Sequence, residues 1–239
     1  MPLHAMASYL RALHTHSGPG LAPLPLQACS EALGLDGLAL LLAHEGSTPE
    51  LVQSFGERTG ALEDLQLTQG HGPSRDAADD GALLLMPDMG DATGFAVVRW
   101  PGLPYSVEEL GVAAVFAFPL RIGVIALGAL TGHRTTPGPL GTDQLADAFA
   151  LADTLSQVVI TLTARPAPSS GLLLDETCLH FAEVHQATGM LAAQLEIPCA
   201  QALIRLRAYA YSHNRRVLSC ARDVIQYRLD LDDKDDKDS

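Results

Sequence analysis

The chain has 239 residues, 47% of them apolar, and 15 Lys and Arg against 28 Asp and Glu give a formal net charge of −13. That apolar content excludes a disordered polymer, and no apolar run approaches the roughly 18–20 uninterrupted residues of a membrane span. Four cysteines, Cys29, Cys178, Cys199 and Cys220, show neither CxxC pairing nor metal-ligand spacing, and Met1-Pro2-Leu3-His4 lacks the ordered regions of a signal peptide. The expectation is a cytosolic protein whose cysteines are buried small residues.

Along the chain, residues 1–34 form a helical segment. An amphipathic helix pattern runs over Met6–Leu13, a break falls at Gly18-Pro19-Gly20, and a second helix is expected over Leu24–Leu33 with Gly34 as its stop. Residues 35–163 alternate between strand and helix patterns. Leu38–Ala43 and Leu51–Phe55 are expected to be adjacent strands, Thr59–Gln69 a helix and Ala82–Met86 a strand. Val112–Leu120 and Val124–Leu130 are two further strands, joined at Arg121-Ile122-Gly123 in a tight hairpin.

Gly141-Thr142-Asp143 then opens a long helix in which Leu145, Phe149, Ala152, Leu155, Val159 and Leu162 share one face. That apolar face is expected to pack against its copy in a homodimer. A Pro/Ser/Gly linker, residues 164–174, centres on Arg165-Pro166-Ala167-Pro168-Ser169-Ser170-Gly171 and stiffens the connection. Both lysines, Lys234 and Lys237, fall in the acidic tail, 232–239. With every other cation an arginine and Ala, Leu and Gly abundant, the composition suggests a GC-rich, bacterial coding sequence.

Residues 175–231 carry three helical patterns. Between positions 201 and 229 six arginines, Arg205, Arg207, Arg215, Arg216, Arg222 and Arg228, face one carboxylate, Asp223, a local charge of about +5 (six minus one) on an acidic chain. The first helix places Phe181, Val184, Ala187, Leu191 and Leu195 on one face, and Gly189 within it suggests a closely crossing helix. The second, Cys199–Ser212, is expected to bury Ala202, Leu203, Leu206 and Ala210 and to expose Arg207 and Tyr211. The third is expected to bury Val217, Leu218, Ala221, Val224 and Ile225, leaving Arg215, Arg216 and Arg222 to solvent. A basic, aromatic-bearing helical module on an acidic chain suggests binding of a polyanion, against the plainer reading of a solvated face.

Three runs carry a resemblance: His185-Gln186-Ala187-Thr188-Gly189-Met190-Leu191; Gln201-Ala202-Leu203-Ile204-Arg205-Leu206-Arg207-Ala208; and Asn214-Arg215-Arg216-Val217-Leu218 continuing through Ser219-Cys220-Ala221-Arg222-Asp223-Val224-Ile225. In order and spacing over about fifty residues they resemble the ANTAR domain, the three-helix RNA-binding module of bacterial antiterminators. The resemblance implies binding of tandem RNA hairpins in nascent transcripts through Gln186, Thr188, Arg207, Tyr211, Asn214, Arg215, Arg216 and Arg222. Many family members have lysine where this chain has Thr188, so the charge at that position is missing here.

The section before it resembles a GAF domain. Gln69-Gly70-His71-Gly72-Pro73-Ser74-Arg75-Asp76 matches the glycine-proline turn, Arg99-Trp100-Pro101-Gly102 the tryptophan-proline segment, and Val115-Phe116-Ala117-Phe118-Pro119-Leu120 the central strand. A phosphoryl receiver is disfavoured, because the early acidic pair, the phosphoacceptor aspartate and the downstream lysine are missing. His71, Arg75 and Trp100 are candidates to line a small-molecule pocket, against the plainer possibility that they shape a turn and pack the core. No cofactor and no metal is assigned, and no nucleophile–base set supports an enzyme.

The sequence thus points to an α+β fold: an N-terminal GAF-like α/β sandwich with an antiparallel sheet, a long connecting helix, and a C-terminal three-helix ANTAR module. The implied function is signal-responsive transcription antitermination. Two alternatives are a helix-turn-helix DNA-binding regulator, disfavoured by the lack of glycine in the second turn, and a dimerisation or partner-docking module without nucleic acid.

Overall fold

The computed structural model describes residues 24–43, 48–91, 94–163 and 181–231. The helix expected at Met6–Leu13, the linker and the acidic tail lie outside these. The chain divides into two compact units, Met1–Glu63 with His71–Leu179, and Asp64–Gly70 with His180–Ser239.

In the first unit, helix α1 (Leu26–Leu33) ends at Gly34, whose φ of 62° is the left-handed C-cap conformation the sequence foreshadowed. Strands β1 (Gly37–Leu42) and β2 (Glu50–Phe55) pair antiparallel. Helix α2 (Thr59–Gln69) follows, its residues up to Glu63 belonging to this unit. Helix α3 (Pro73–Asp80) was not expected from the sequence. Its signals are nevertheless present: Pro73 opens the first turn and Gly81, with φ of 68°, closes it. After β3 (Leu84–Met86) come the short helices α4 (Phe95–Arg99) and α5 (Leu103–Glu109).

The hairpin of β4 (Ala114–Ile122) and β5 (Ile125–Arg134) turns at Gly123-Val124, slightly later than expected. Strand β5 also runs four residues past Leu130, because the mixed stretch Thr131-Gly132-His133-Arg134 remains paired with β1 and β4. Helix α6 (Thr142–Thr163) closes the unit. The five strands lie in the order β2-β1-β5-β4-β3, antiparallel throughout.

Side chains alternate across a strand, so each strand sends alternate residues to opposite faces. Leu38, Leu40, Leu42, Phe116, Phe118, Leu120 and Leu130 face one way, onto Leu26, Cys29 and Leu33 of α1 and Ala148, Leu151, Ala152, Leu155 and Val159 of α6. On the other face, Ala117 and Ala129 meet Ala77 and Ala78 of α3. Much of the apolar face of α6 is therefore spent on its own sheet. Phe149, 40% exposed, packs edge-on against Phe118 at 5.5 Å. Arg134 fastens the layer: it donates to Gly34 O (2.6 Å), Pro139 O (3.0 Å) and Gln144 Oε1 (3.0 Å), with its guanidinium 5.6 Å from the Phe116 ring centroid.

A buried carboxylate ties α2 to α3. Ser74 Oγ donates to Glu63 Oε1 at 2.9 Å, and burial pushes the Glu63 carboxyl up from 4.5 to about 7 against the lowering influence of Ser74 and Arg75.

The second unit contains α7 (Ala182–Leu195), α8 (Cys199–Ser212) and α9 (Val217–Ile225). Phe181, Val184, Ala187, Leu191, Ala202, Leu206, Ala210, Val217, Cys220, Ala221 and Val224 form its interior. Leu203, Leu218 and Ile225, expected inside, are half-buried; Cys220 is buried as expected, whereas Cys199, expected to be buried, is exposed. Gly189 is exposed, and a Cβ there would meet nothing within 4 Å, so the expected close helix crossing is absent at that position.

Two predictions follow from backbone space and from burial. A Cβ on Gly128, at φ of 148°, would fall 2.0 Å from Leu41 O. Gly128→Ala should therefore destabilise the chain by roughly 2 kcal/mol or more, whereas Gly189→Ala should stabilise it by about 0.5–1 kcal/mol, both read by urea denaturation. For Glu63 the folded state holds a proton that the unfolded state has released between about pH 4.5 and 7. Stability must then fall as pH rises through that window, by on the order of 1–3 kcal/mol. Glu63→Gln should flatten this slope when unfolding is followed by the fluorescence of Trp100, the single tryptophan; an unchanged slope would refute the assignment.

Candidate functional site

The basic surface of the second unit is less charged than the sequence window suggested. Arg215 Nη2 donates to Asp223 Oδ2 at 2.5 Å and to Ser219 Oγ at 3.0 Å, and Arg228 Nε lies 3.3 Å from the other oxygen of Asp223. Arg222 Nε donates to Glu183 Oε2 of α7 at 2.8 Å. Arg216 Nε is 3.9 Å from Asp64 Oδ2. Folding thus brings two carboxylates from outside the window, Asp64 and Glu183, against its arginines, and the local balance drops to about +3 (six arginines less Asp64, Glu183 and Asp223).

Of the expected RNA contacts, the structure gathers Tyr211, Asn214, Arg215 and Arg216 at the turn from α8 into α9. Tyr211 is 62% exposed and the Arg216 side chain 63%. Asn214 takes a left-handed φ of 49°, which a short polar side chain tolerates. His213 stacks on Tyr209 at 4.0 Å between ring centroids, which stiffens the same turn. Gln186 lies exposed on α7. Two of the expected contacts are less exposed than their helical positions suggest. Thr188 is 7% exposed and its hydroxyl donates to Val184 O at 2.6 Å, so it is turned inward on its own helix. Arg207 is half-buried with its Nε shielded from solvent, and its guanidinium lies against Gly70, 3.7 Å from where a Cβ would stand there.

Sequence reasoning missed the groups at the start of α9. The Val217 N–H donates to Thr68 Oγ1 at 3.0 Å, and the Asp64 carboxylate lies beside the Leu218 N–H. Burial pushes Asp64 up to about 6, opposed by Arg216, the Leu218 N–H and Arg222. Roughly 150 residues separate these partners in sequence, and no local pattern announces such a pairing.

In the first unit the three candidate pocket residues join one network. Trp100 is fully buried, and its indole N–H donates to Asp76 Oδ2 at 3.0 Å. The same oxygen accepts Arg99 Nε at 2.7 Å, and Asp80 lies 3.6 Å from Arg99 Nη2. Phe95 meets Trp100 edge-on at 5.7 Å. Arg75 is buried, with Nη2 3.9 Å from Asp79 Oδ2 and Nε without a hydrogen bond. Burial lowers the Arg75 guanidinium from its ordinary value, while Asp79, Glu63 and Asp76 act the other way; His71 is lowered chiefly by burial. Four carboxylates thus face two guanidinium groups, and the charge of Arg75 is already matched. The arrangement clamps α4 onto α3 and offers no surplus positive charge for an anionic ligand.

No family model matches the chain, and no curated protein matches it. Among the solved structures that resemble it in fold are two GAF domains. One is the GAF domain of an Acinetobacter phosphoenolpyruvate-protein phosphotransferase, with a TM-score of 0.52 and 16% identity, covering 69% of this chain and 96% of that one. The other is the corresponding GAF domain from Coxiella burnetii, with a TM-score of 0.53 and 16% identity over 68% of this chain and 95% of that one. The five-stranded antiparallel sheet with helices on both faces gives this protein a GAF-domain fold.

Proposed function

We propose that the chain is a signal-responsive regulator in which the GAF-fold unit receives a signal and α7–α9, resembling an ANTAR module, bind RNA hairpins in nascent transcripts to control termination. The observation that carries this reading is the exposed turn bearing Tyr211, Asn214, Arg215 and Arg216. It places an aromatic face, an amide and cations within one short segment, the combination that splayed bases and their phosphates need. No catalytic role is part of the proposal, and the signal ligand is left open. A homodimer would raise affinity for two hairpins by effective concentration.

A second reading, duplex DNA binding by a helix-turn-helix, gains from the same turn. Its lack of glycine is no obstacle, because Asn214 supplies the left-handed conformation a glycine would provide. Binding to a tandem-hairpin RNA and to duplex DNA of equal length, at about 50 mM salt (below physiological) and about 200 mM (near physiological), separates the two. The expected result is salt-sensitive binding to RNA alone, weakened about tenfold or more by Tyr211→Ala with Arg216→Ala in a chain of unchanged circular dichroism. Equal affinity for duplex DNA would favour the second reading. Salt-insensitive behaviour, or no binding to either, would overturn both.

A further inference from the structure

We propose that the N-terminus of α9 is a phosphate site for the RNA backbone, which the side chains of Asp64 and Thr68 hold closed. The inference rests on the RNA-binding reading and adds to it a specific contact and a means of restraint. An α-helix begins with N–H groups that have no partner within the helix, and these together with the helix dipole favour an anion. In α9, nine residues long, the cap residue Arg216 provides no side-chain cap. The need is met from Asp64–Gly70: Thr68 Oγ1 accepts the Val217 N–H at 3.0 Å, and the carboxylate of Asp64 lies beside the Leu218 N–H.

An anion therefore already occupies this position, and it is held poorly. The Asp64 side chain is 3% exposed, neither of its oxygens has a hydrogen bond of good geometry, and its cation, Arg216, stands 3.9 Å away. A desolvated carboxylate with one long ion pair gives up much of its hydration for little return. An RNA phosphate would offer the same charge to the same N–H groups while keeping its outer oxygens in water. Arg216, exposed over 63% of its side chain, can reach it by turning outward. Tyr211 and Asn214, on the same turn, are placed to meet the adjoining nucleotide. Asp64 and the phosphate compete for one place.

The test uses the full chain and two probes, inorganic phosphate at constant ionic strength and the tandem-hairpin RNA, with the Val217 and Leu218 amides followed by NMR. Asp64→Asn keeps the shape and removes the competing charge. Phosphate should then shift the Leu218 amide in Asp64→Asn and leave the wild type unmoved, and the variant should bind hairpin RNA about five- to tenfold more tightly at low salt. Arg216→Gln added to Asp64→Asn should abolish both gains, which fraying of α9 alone would not do; hydrogen exchange across 217–225 reports fraying directly. Equal RNA affinity of wild type and Asp64→Asn, with no phosphate shift in either, would overturn the closed site and leave the RNA reading standing. A phosphate shift in Asp64→Asn with no RNA binding by either protein would uphold the anion site and overturn RNA as its occupant.

Discussion

The first unit depends on a division of labour between the two faces of its sheet. Large side chains, Leu38, Leu40, Leu42, Phe116, Phe118, Leu120 and Leu130, all fall on one face, where α1 and α6 cover them. The opposite face carries Ala117 and Ala129, small enough for the alanines of α3 to come close. A shift of one residue in any of the three central strands would exchange the faces, so the pattern also fixes register. Gly128 shows how tight the centre is, since even a methyl group there would collide with the backbone of β1.

Close packing of α3 has an electrostatic consequence. It carries Ser74, Arg75 and Asp76 into or near the interior, where each must be satisfied. Ser74 binds Glu63, Asp76 serves both Arg99 and Trp100, and Arg75 is set among Glu63, Asp76 and Asp79. Residues that suggested a ligand pocket in sequence are, in three dimensions, also engaged with neighbouring side chains. Buried polar networks of this kind specify how elements dock and are expensive to leave half-made.

The second unit makes the opposite point about charge. Its arginines were legible as a cluster, yet most of them are held by carboxylates, and two of those carboxylates, Asp64 and Glu183, stand well outside the cluster in sequence. Partial neutralisation lowers the nonspecific attraction for polyanions while leaving the exposed turn at Tyr211 to Arg216 intact. On the proposed RNA-binding reading, such a surface would favour recognition of a particular shape over indiscriminate binding.

Periodicity and punctuation determined the elements. Gly34 ended α1, Thr59–Gln69 and Cys199–Ser212 have the limits their patterns implied, and the alternating runs became paired strands. These are local properties, set by backbone preference and by apolar spacing along a few turns of chain. Helix α3 shows the edge of that legibility, since its eight residues are too polar for a periodic signal although Pro73 and Gly81 marked its ends. What only the tertiary structure decided was where each amphipathic face and each charge found its partner. Much of the apolar stripe of α6 met its own sheet, and Thr188 turned inward. The N–H groups of α9 met Asp64 and Thr68 from far upstream. The physical reason is that hydrophobic and Coulomb interactions depend on distance in space, and a sequence records which groups need a partner without recording which partner comes near.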